Sequence, residues 1–398
     1  MTVFVLGGAQ TDFARNYAKE GRGILELFAE VVPAALVDAG VAAEDVEVAH
    51  VGNLAAELFT GQAQLGGLLV AAVPELDGVP STRHEAACAS GSTAVLAACA
   101  DLEAGRYDLA LVVGVELMRT VDGQRAAEHL GSAAWAGHEA VAAKFPWPAL
   151  FADVASAYDE RYGLDPEHLG QFAEHAFARA TVNPLAQARD WRFPAGAFGP
   201  DDELNPLIEG RLRKQDCGRI TDGAAAVVLA SPAFAERLGG GFPRIAGFGH
   251  RTAHIGLAEK IAADGEYLFP HLRGAVVDAY ERAGVAGPDA LDVVELHDCF
   301  TITGLVALEH LGAAPPGDGG EFIADGGLDT AGINPGGGLI GLGHPVGATG
   351  VRMLHDVARQ VSGTAGATQV EGARTALTLN VGGSFTTVVT MIVTGETA

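Results

Sequence analysis

Apolar positions in this chain fall into two kinds of run. Short unbroken stretches (Val3–Leu6, Val46–Val51, Leu109–Val115, Ala224–Ala230, Val293–Leu296, Thr375–Leu379, Thr386–Val393) have the length of buried strands. Between them, Leu25–Val37 and Leu272–Arg282 repeat their apolar residues at helical spacing. The alternation predicts an α/β fold with helices on a largely parallel sheet, each half closing on ββ-type text. A further helix is predicted over Pro166–Thr181, with Asp165 as N-cap and Asn183-Pro184 as its stop.

The pattern also repeats over a long range. Set A-C-A-S-G-S-T-A-V (87–95) above G-H-P-V-G-A-T-G-V (343–351): Gly91 falls on Gly347, Thr93 on Thr349, Val95 on Val351, and Cys88 on His344. Upstream, 39–52 parallels 283–298, each with an amphipathic run ending at Ala-Gly and then an apolar strand ending near a His. A repeat this long is one domain duplicated, not a short-period solenoid. The halves are 1–238 and 239–398. Residues 119–216, richer in Trp, Phe, His and Pro, have no counterpart in the second half and are expected to form an inserted loop or cap domain. A thiol and an imidazole at equivalent positions are expected to meet near a pseudo-twofold axis.

Composition narrows the setting. With 398 residues, 48% of them hydrophobic, the chain can bury a large core. No apolar run is long enough to span a bilayer, and M-T-V-F-V-L-G-G reads as a first strand, not a signal peptide. Four cysteines in a chain this long suit reduced thiols in a cytoplasmic setting. The terminal G-E-T-A is no peroxisomal address, and Arg far outnumbers Lys. A formal charge of −25 argues against nucleic acid or an acidic membrane as partner. A phosphate-bearing ligand would need local cations, for which Arg211, Arg213, Lys214 and Arg219 are the candidates; a solvated charge run is the plainer alternative.

Cys88 stands where small residues open a helical pattern at Ser90. A helix N-terminus there would stabilise its thiolate and lower its pKa. Cys99 returns to the same helix face further down and is expected to pack. Around His344 the text is N-P-G-G-G-L-I-G-L-G-H-P-V-G-A-T-G. Its chance G-x-G-x-x-G is not a dinucleotide site, because no strand leads into it and the helix starts only after His344-Pro345. Pro345 suits a first helical position, which would put His344 at a helix N-terminus as a neutral base. His297-Asp298-Cys299-Phe300 follows the strand 293–296 at the edge where α/β sheets carry reactive groups. A zinc site from His84, Cys88, His297, Cys299 and His344 competes, though no metal-ligand spacing is present. Asn380-Val381-Gly382-Gly383 lies between two strands, where its glycines either turn backbone N–H groups to a cavity or make a bend.

Together C-A-S-G-S (88–92), T-D-G-A-A-A (221–226), H-D-C-F (297–300) and G-H-P-V-G-A-T-G (343–350) resemble a thiolase, and the H-D-C-F form is similar to the sterol-carrier-protein-2 branch. The resemblance implies the thiolase fold: two βαβαβαββ halves in a five-layered α/β/α/β/α arrangement, as homodimers or tetramers. It implies acyl-CoA and CoA as substrates and no prosthetic group or metal. By it, Cys88 is the nucleophile and His344 its activator. His297 and His344 face the thioester or enolate oxygen, and the N–H groups of Cys88 and Gly382 form the hole for the tetrahedral intermediate. Many thiolases carry a second reactive Cys where this chain has Asn380, so the acid/base role passes to Cys299. The activity implied is an acetyl-CoA acetyltransferase-like making or cleaving of 3-oxoacyl-CoA. Rivals are a ketosynthase or acyltransferase of the same superfamily, a retro-aldolase working with a small partner subunit, and a non-catalytic scaffold. Aromatic residues of the insertion (Trp135, Phe145, Trp147, Phe151) either shape the acyl pocket or pack the core.

Overall fold

A computed structural model describes residues 2–395; the terminal stretch read above for a targeting signal falls on 396–398, outside the described residues. The first half runs β1 (Val3–Gln10), α1 (Ile24–Ala39), β2 (Val48–Gly52), β3 (Ser81–His84), α2 (Ser90–Glu103) and β4 (Leu109–Glu116). The chain then leaves through α3 (Gly123–Leu130), α4 (Pro146–Tyr162) and α5 (Pro166–Ala180), and returns as β5 (Gly223–Ala230). The second half runs β6 (Arg244–Thr252), α6 (Leu257–Ile261), α7 (Pro270–Ala283), β7 (Val293–Leu296), α8 (Thr301–Leu311), α9 (Thr349–Val361), β8 (Thr375–Gly382) and β9 (Thr387–Thr394). Asp165 caps α5, its side chain accepting from the N–H of Glu167.

Nine strands hydrogen-bond in the order β3-β2-β4-β5-β1-β6-β9-β8-β7. Counted outward from the β1–β6 junction, each half uses the same order: first strand, last, penultimate, second. In the first half β3 follows; in the second, only a parallel bridge between Val294 and Ile333 stands there. The sheet is mixed, which corrects the largely parallel one expected from the alternation. β2 pairs in parallel with β3 and β4, and β7 with β8. The other five pairings are antiparallel, because each half closes on two opposed strands and its first strand runs against its last.

The unbroken apolar strands follow from helices on both faces. Along β4, Leu109, Leu111, Val113 and Val115 pack with α1, whereas Ala110 and Val112 pack toward α2 and α9. Helices α2 and α9 form one central layer between the two half-sheets, and α7 covers the far face of β6 and β9. The result is a five-layered α/β/α/β/α stack. Close approach in the middle layer depends on glycine. A Cβ on Gly91 would lie 2.7 Å from the Gly347 carbonyl, and one on Gly350 would lie 2.3 Å from the Ser92 nitrogen. The doubled segments of the sequence therefore touch backbone to backbone.

Four strands escaped the sequence pattern. Ser81–His84 is polar and half-exposed at the sheet edge, and Arg244–Thr252 alternates with glycines and charge. The hairpin Leu207–Glu209 with Leu212–Arg213 is too short to carry a period.

Candidate active site

Cys88 sits on a sharp turn between β3 and α2. Ala87 takes a left-handed φ of 50°, a strained position for a residue with a Cβ. Ser90 holds the turn by accepting from the Ala86 N–H at 2.9 Å and donating to the Ala87 carbonyl at 2.6 Å. The thiol is half-buried and faces a cavity of about 380 Å³. The backbone N–H groups of Gly383 and of Cys88 itself face its sulfur. Helix α2 begins two residues later, at Ser90, so the helix start falls where the pattern placed it. The thiol does not become more acidic for it: burial pushes its pKa up to about 12, against the smaller help of the Gly383 N–H. The expected lowering is thus reversed in the ligand-free fold.

His344 comes from the other half. Helix α9 starts only at Thr349, after a single tight turn Val346–Ala348, so His344 lies a turn ahead of the helix and Pro345 precedes that turn. Its ring Nδ1 lies 2.7 Å from Thr349 Oγ1. Thr349 donates its one hydroxyl proton to the Pro345 carbonyl, so it can only accept from the ring. The proton is therefore on Nδ1, and Nε2 is a buried lone pair with no hydrogen-bond partner among the described residues. Burial, with the Arg352 charge second, lowers this imidazole to about 3.

His297 follows β7 directly, and the same accounting fixes its tautomer. Ser92 donates to Asn380 Oδ1 at 2.8 Å, which turns the Asn380 amide nitrogen to His297 Nδ1 at 3.0 Å. Nδ1 must accept, so the ring proton sits on Nε2. Burial, then the neighbouring His344, keeps this ring neutral. The ligand atoms of Cys88, His297 and His344 lie within 4.8 Å of one another. The two rings meet edge to face with centroids 5.2 Å apart. One imidazole thus offers a lone pair and the other an N–H.

That division disfavours the zinc reading. A metal at the trio would need the His297 lone pair that Asn380 already uses. His84 lies elsewhere, its Nε2 2.9 Å from His50 Nδ1.

Cys299 is buried, lines the same cavity, and lies 3.9 Å from Thr303 Oγ1. Burial and then the nearby Cys88 push its pKa well up. Asp298 points the other way, accepting from the Leu339 N–H at 2.6 Å; a Cβ on Gly338 would lie 2.3 Å from its carboxylate, which accounts for one of the clustered glycines. Behind the histidines, buried Arg352 pairs with Glu295 and, at 3.0 Å, with Asp356. On the first-half side, buried Glu116 accepts from the N–H groups of Leu54, Ala55 and Gly347, tying the His344 loop to β4, and burial raises its carboxyl to about 7.

The cavity wall is mostly apolar. Leu130, Phe145, Trp147 and Phe151 reach it from the insertion, beside Met118 and Phe300. Trp135 does not line it and stacks on His138. Of the four cations singled out, Arg219 lines the cavity and Lys214 is exposed nearby. Arg211 pairs with Asp159 at 2.5 Å, and Arg213 with Asp202 at 2.7 Å. Gly382 packs beneath the Cys88 turn, where a Cβ would lie 2.2 Å from the Ala86 carbonyl, and the N–H at the sulfur is that of Gly383. Sequence reasoning flagged the Gly382-Gly383 pair but settled on Gly382 for the N–H, and it missed Thr349 and the service Asn380 performs. Thr349 carried a signal, as the partner of Thr93 in the repeat.

Comparison with known proteins agrees with the geometry. Residues 3–190 match the model described as "Thiolase, N-terminal domain", and 257–395 match "Thiolase C-terminal domain-like". The chain is 33% identical to an acetyl-CoA acetyltransferase of Methanothermobacter thermautotrophicus, over 96% of each chain. It is 30% identical to human sterol carrier protein 2, over 98% of this chain and 71% of that one. Among solved structures, the Ltp2-ChsH2(DUF35) aldolase superposes with a TM-score of 0.80 at 22% identity, covering 100% of this chain and 98% of that one.

Proposed function

The chain belongs to the thiolase family, and on that premise we propose that it is an acyl-CoA C-acyltransferase making or cleaving the carbon–carbon bond of 3-oxoacyl-CoA. The observation that carries this is the opposed tautomers of two neutral imidazoles beside one thiol: His344 presents a lone pair, and His297 has its ring proton on Nε2.

The Cys88 proton passes to His344 Nε2 as the sulfur attacks the thioester carbonyl. The transfer is uphill for the resting pair, so it is drawn forward by the new carbon–sulfur bond and by N–H groups facing the oxyanion. We assign that hole to the N–H of Cys88 and, within the Gly382-Gly383 pair, to that of Gly383, which faces the sulfur across the same cavity. CoA leaves with the His344 proton, and Cys88 keeps the acyl group. In the second half-reaction the Cys299 proton passes to the freed His344 Nε2, and the Cys299 thiolate takes the α-proton of another acyl-CoA. The enolate oxygen is then held by His297 Nε2–H and by the protonated His344 Nε2–H, its carbon attacks the acyl-cysteine, and the Cys88 sulfur leaves with the His344 proton.

A cavity of about 380 Å³ walled by Phe145, Trp147 and Phe151 supports an acyl group larger than acetyl. CoA phosphates are assigned to Lys214 and Arg219, and the homodimer or tetramer belongs to the same reading. The test is to mix the protein with acetyl-CoA, or with a 3-oxoacyl-CoA and CoA, and follow it by intact and peptide mass spectrometry. An acyl adduct on Cys88 with release of CoA is expected; neither adduct nor release would overturn the reading.

A further inference from the structure

Lys260 is a cation 4% exposed in a fold whose other buried charges are ion-paired or held by backbone N–H groups. It lies on α6 and its ammonium pairs with no carboxylate among the described residues. Its three protons go to the Ile255 carbonyl at 2.9 Å, Ser384 Oγ at 3.0 Å and Thr386 Oγ1 at 2.9 Å. Burying a lysine this way is costly unless every donor is used, and here every donor is.

What it grips is the turn joining β8 to β9. Gly383 has a φ of 64° and Phe385 one of 62°, the latter a left-handed position that a phenylalanine keeps only when its surroundings impose it. Two groups beside Lys260 impose it as well. His271 Nε2 donates to the Phe385 carbonyl at 2.6 Å, and Phe269 stacks on the Phe385 ring at 4.2 Å. Ser384 and Thr386 bracket Phe385, and Gly383, just before Ser384, lines the cavity with Cys88 and turns its N–H toward the sulfur.

We propose that Lys260 is a positioning residue: by clamping Ser384 and Thr386 it aims the Gly383 N–H at the reacting sulfur and at the oxyanion formed there. The proposal rests on the acyltransferase reading for its oxyanion part, but not for the sulfur. The groups facing the ammonium are Glu139 from the insertion, Glu259 on its own helix and His271 on α7. Burial lowers the ammonium to about 8, with the two glutamates opposing. Above that pH one of its three donors is lost.

The test measures single-turnover acylation of Cys88 in Lys260→Met and Lys260→Arg. Lys260→Met is expected to slow acylation about 10–100-fold, the scale of a displaced oxyanion donor, while KM for acyl-CoA stays within about twofold. Lys260→Arg should recover part of the rate. The wild-type advantage over Lys260→Met should also shrink above about pH 8, which a merely structural role would not produce. An unchanged rate, or a KM rising as much as the rate falls, overturns the proposal. Should Lys260→Met lose its cooperative thermal transition, the double variant Ser384→Ala with Thr386→Val decides: slow acylation supports the clamp and wild-type acylation overturns it. If the wild type takes no acyl group, the function reading has failed. Alkylation of Cys88 by iodoacetamide is then compared instead, and equal rates in wild type and Lys260→Met overturn the clamp.

Discussion

Asn380 gives its amide proton to His297 Nδ1 at 3.0 Å, and Ser92, from the other half of the chain, decides which way that amide faces. A side chain that stands where many thiolases place a reactive cysteine therefore fixes the proton of a neighbouring imidazole. Asn380→Asp keeps the shape but can only accept, so it should move the His297 proton to Nδ1. The carbon–carbon step is expected to fall about 100-fold with acylation of Cys88 nearly intact, and nitrogen NMR of the histidines should show the tautomer reversed.

Cys88 and Cys299 line one cavity but serve different steps in this reading. Cys88→Ala should abolish the acyl adduct. Cys299→Ala should still acylate and fail in α-proton exchange of the second acyl-CoA, followed by deuterium wash-in from heavy water. Loss of acylation in Cys299→Ala would overturn the division of labour.

Lys214 is exposed and Arg219 faces the cavity, whereas Arg211 is engaged with Asp159. Lys214→Glu and Arg219→Ala should each raise KM for CoA roughly three- to tenfold at unchanged kcat, the signature of lost ground-state binding. Arg211→Ala should leave KM alone. Steady-state kinetics in varied CoA, repeated at higher salt, checks both.

His310 is buried on α8, donating from Nδ1 to the Val306 carbonyl and accepting the Phe269 N–H on Nε2. Burial lowers it from 6.5 to about 3. Between those values the unfolded chain binds a proton that the fold refuses. Its contribution to stability is therefore full above pH 6.5 and is lost as pH falls toward 3. His310→Gln, which can keep both hydrogen bonds, should lose about 2 kcal/mol less than wild type on going from pH 7.5 to 5. Urea unfolding at the two pH values measures it. The buried carboxyls of Glu116 and Asp298, both raised to about 7, pull the other way in both proteins and cancel in the difference.

How legible each part was depended on where its information is stored. The strand Val293–Leu296 and the strand that became Leu109–Glu116 were plain because both faces are buried and nearly every position is apolar, Glu295 and Glu116 excepted. Ser81–His84 was opaque for the opposite reason: an edge strand keeps polar side chains and pairs through its backbone, which writes no period. The pairing of Cys88 with His344 could be read because duplication wrote it twice. Which of Gly382 and Gly383 turns its N–H to the sulfur, the Lys260 clamp and the tautomer of His297 could not. Each is a hydrogen bond between segments far apart in the chain, and single residue letters do not say which way an amide or an ammonium will point. The thiol pKa misled because a helix start is visible in sequence, whereas burial, which outweighs it here, is a property of the assembled fold.

The glycines of the central layer bear on how this chain can change over time. Gly91 and Gly350 let α2 and α9 meet with no side chain between them. The spacing from sulfur to imidazole is then set by peptide planes, which do not repack when neighbouring side chains are exchanged. The insertion that walls the cavity can be rewritten for a new acyl group while that spacing stays as it is. Specificity and reaction geometry are thereby uncoupled, and the chain can vary its substrate without re-solving its chemistry.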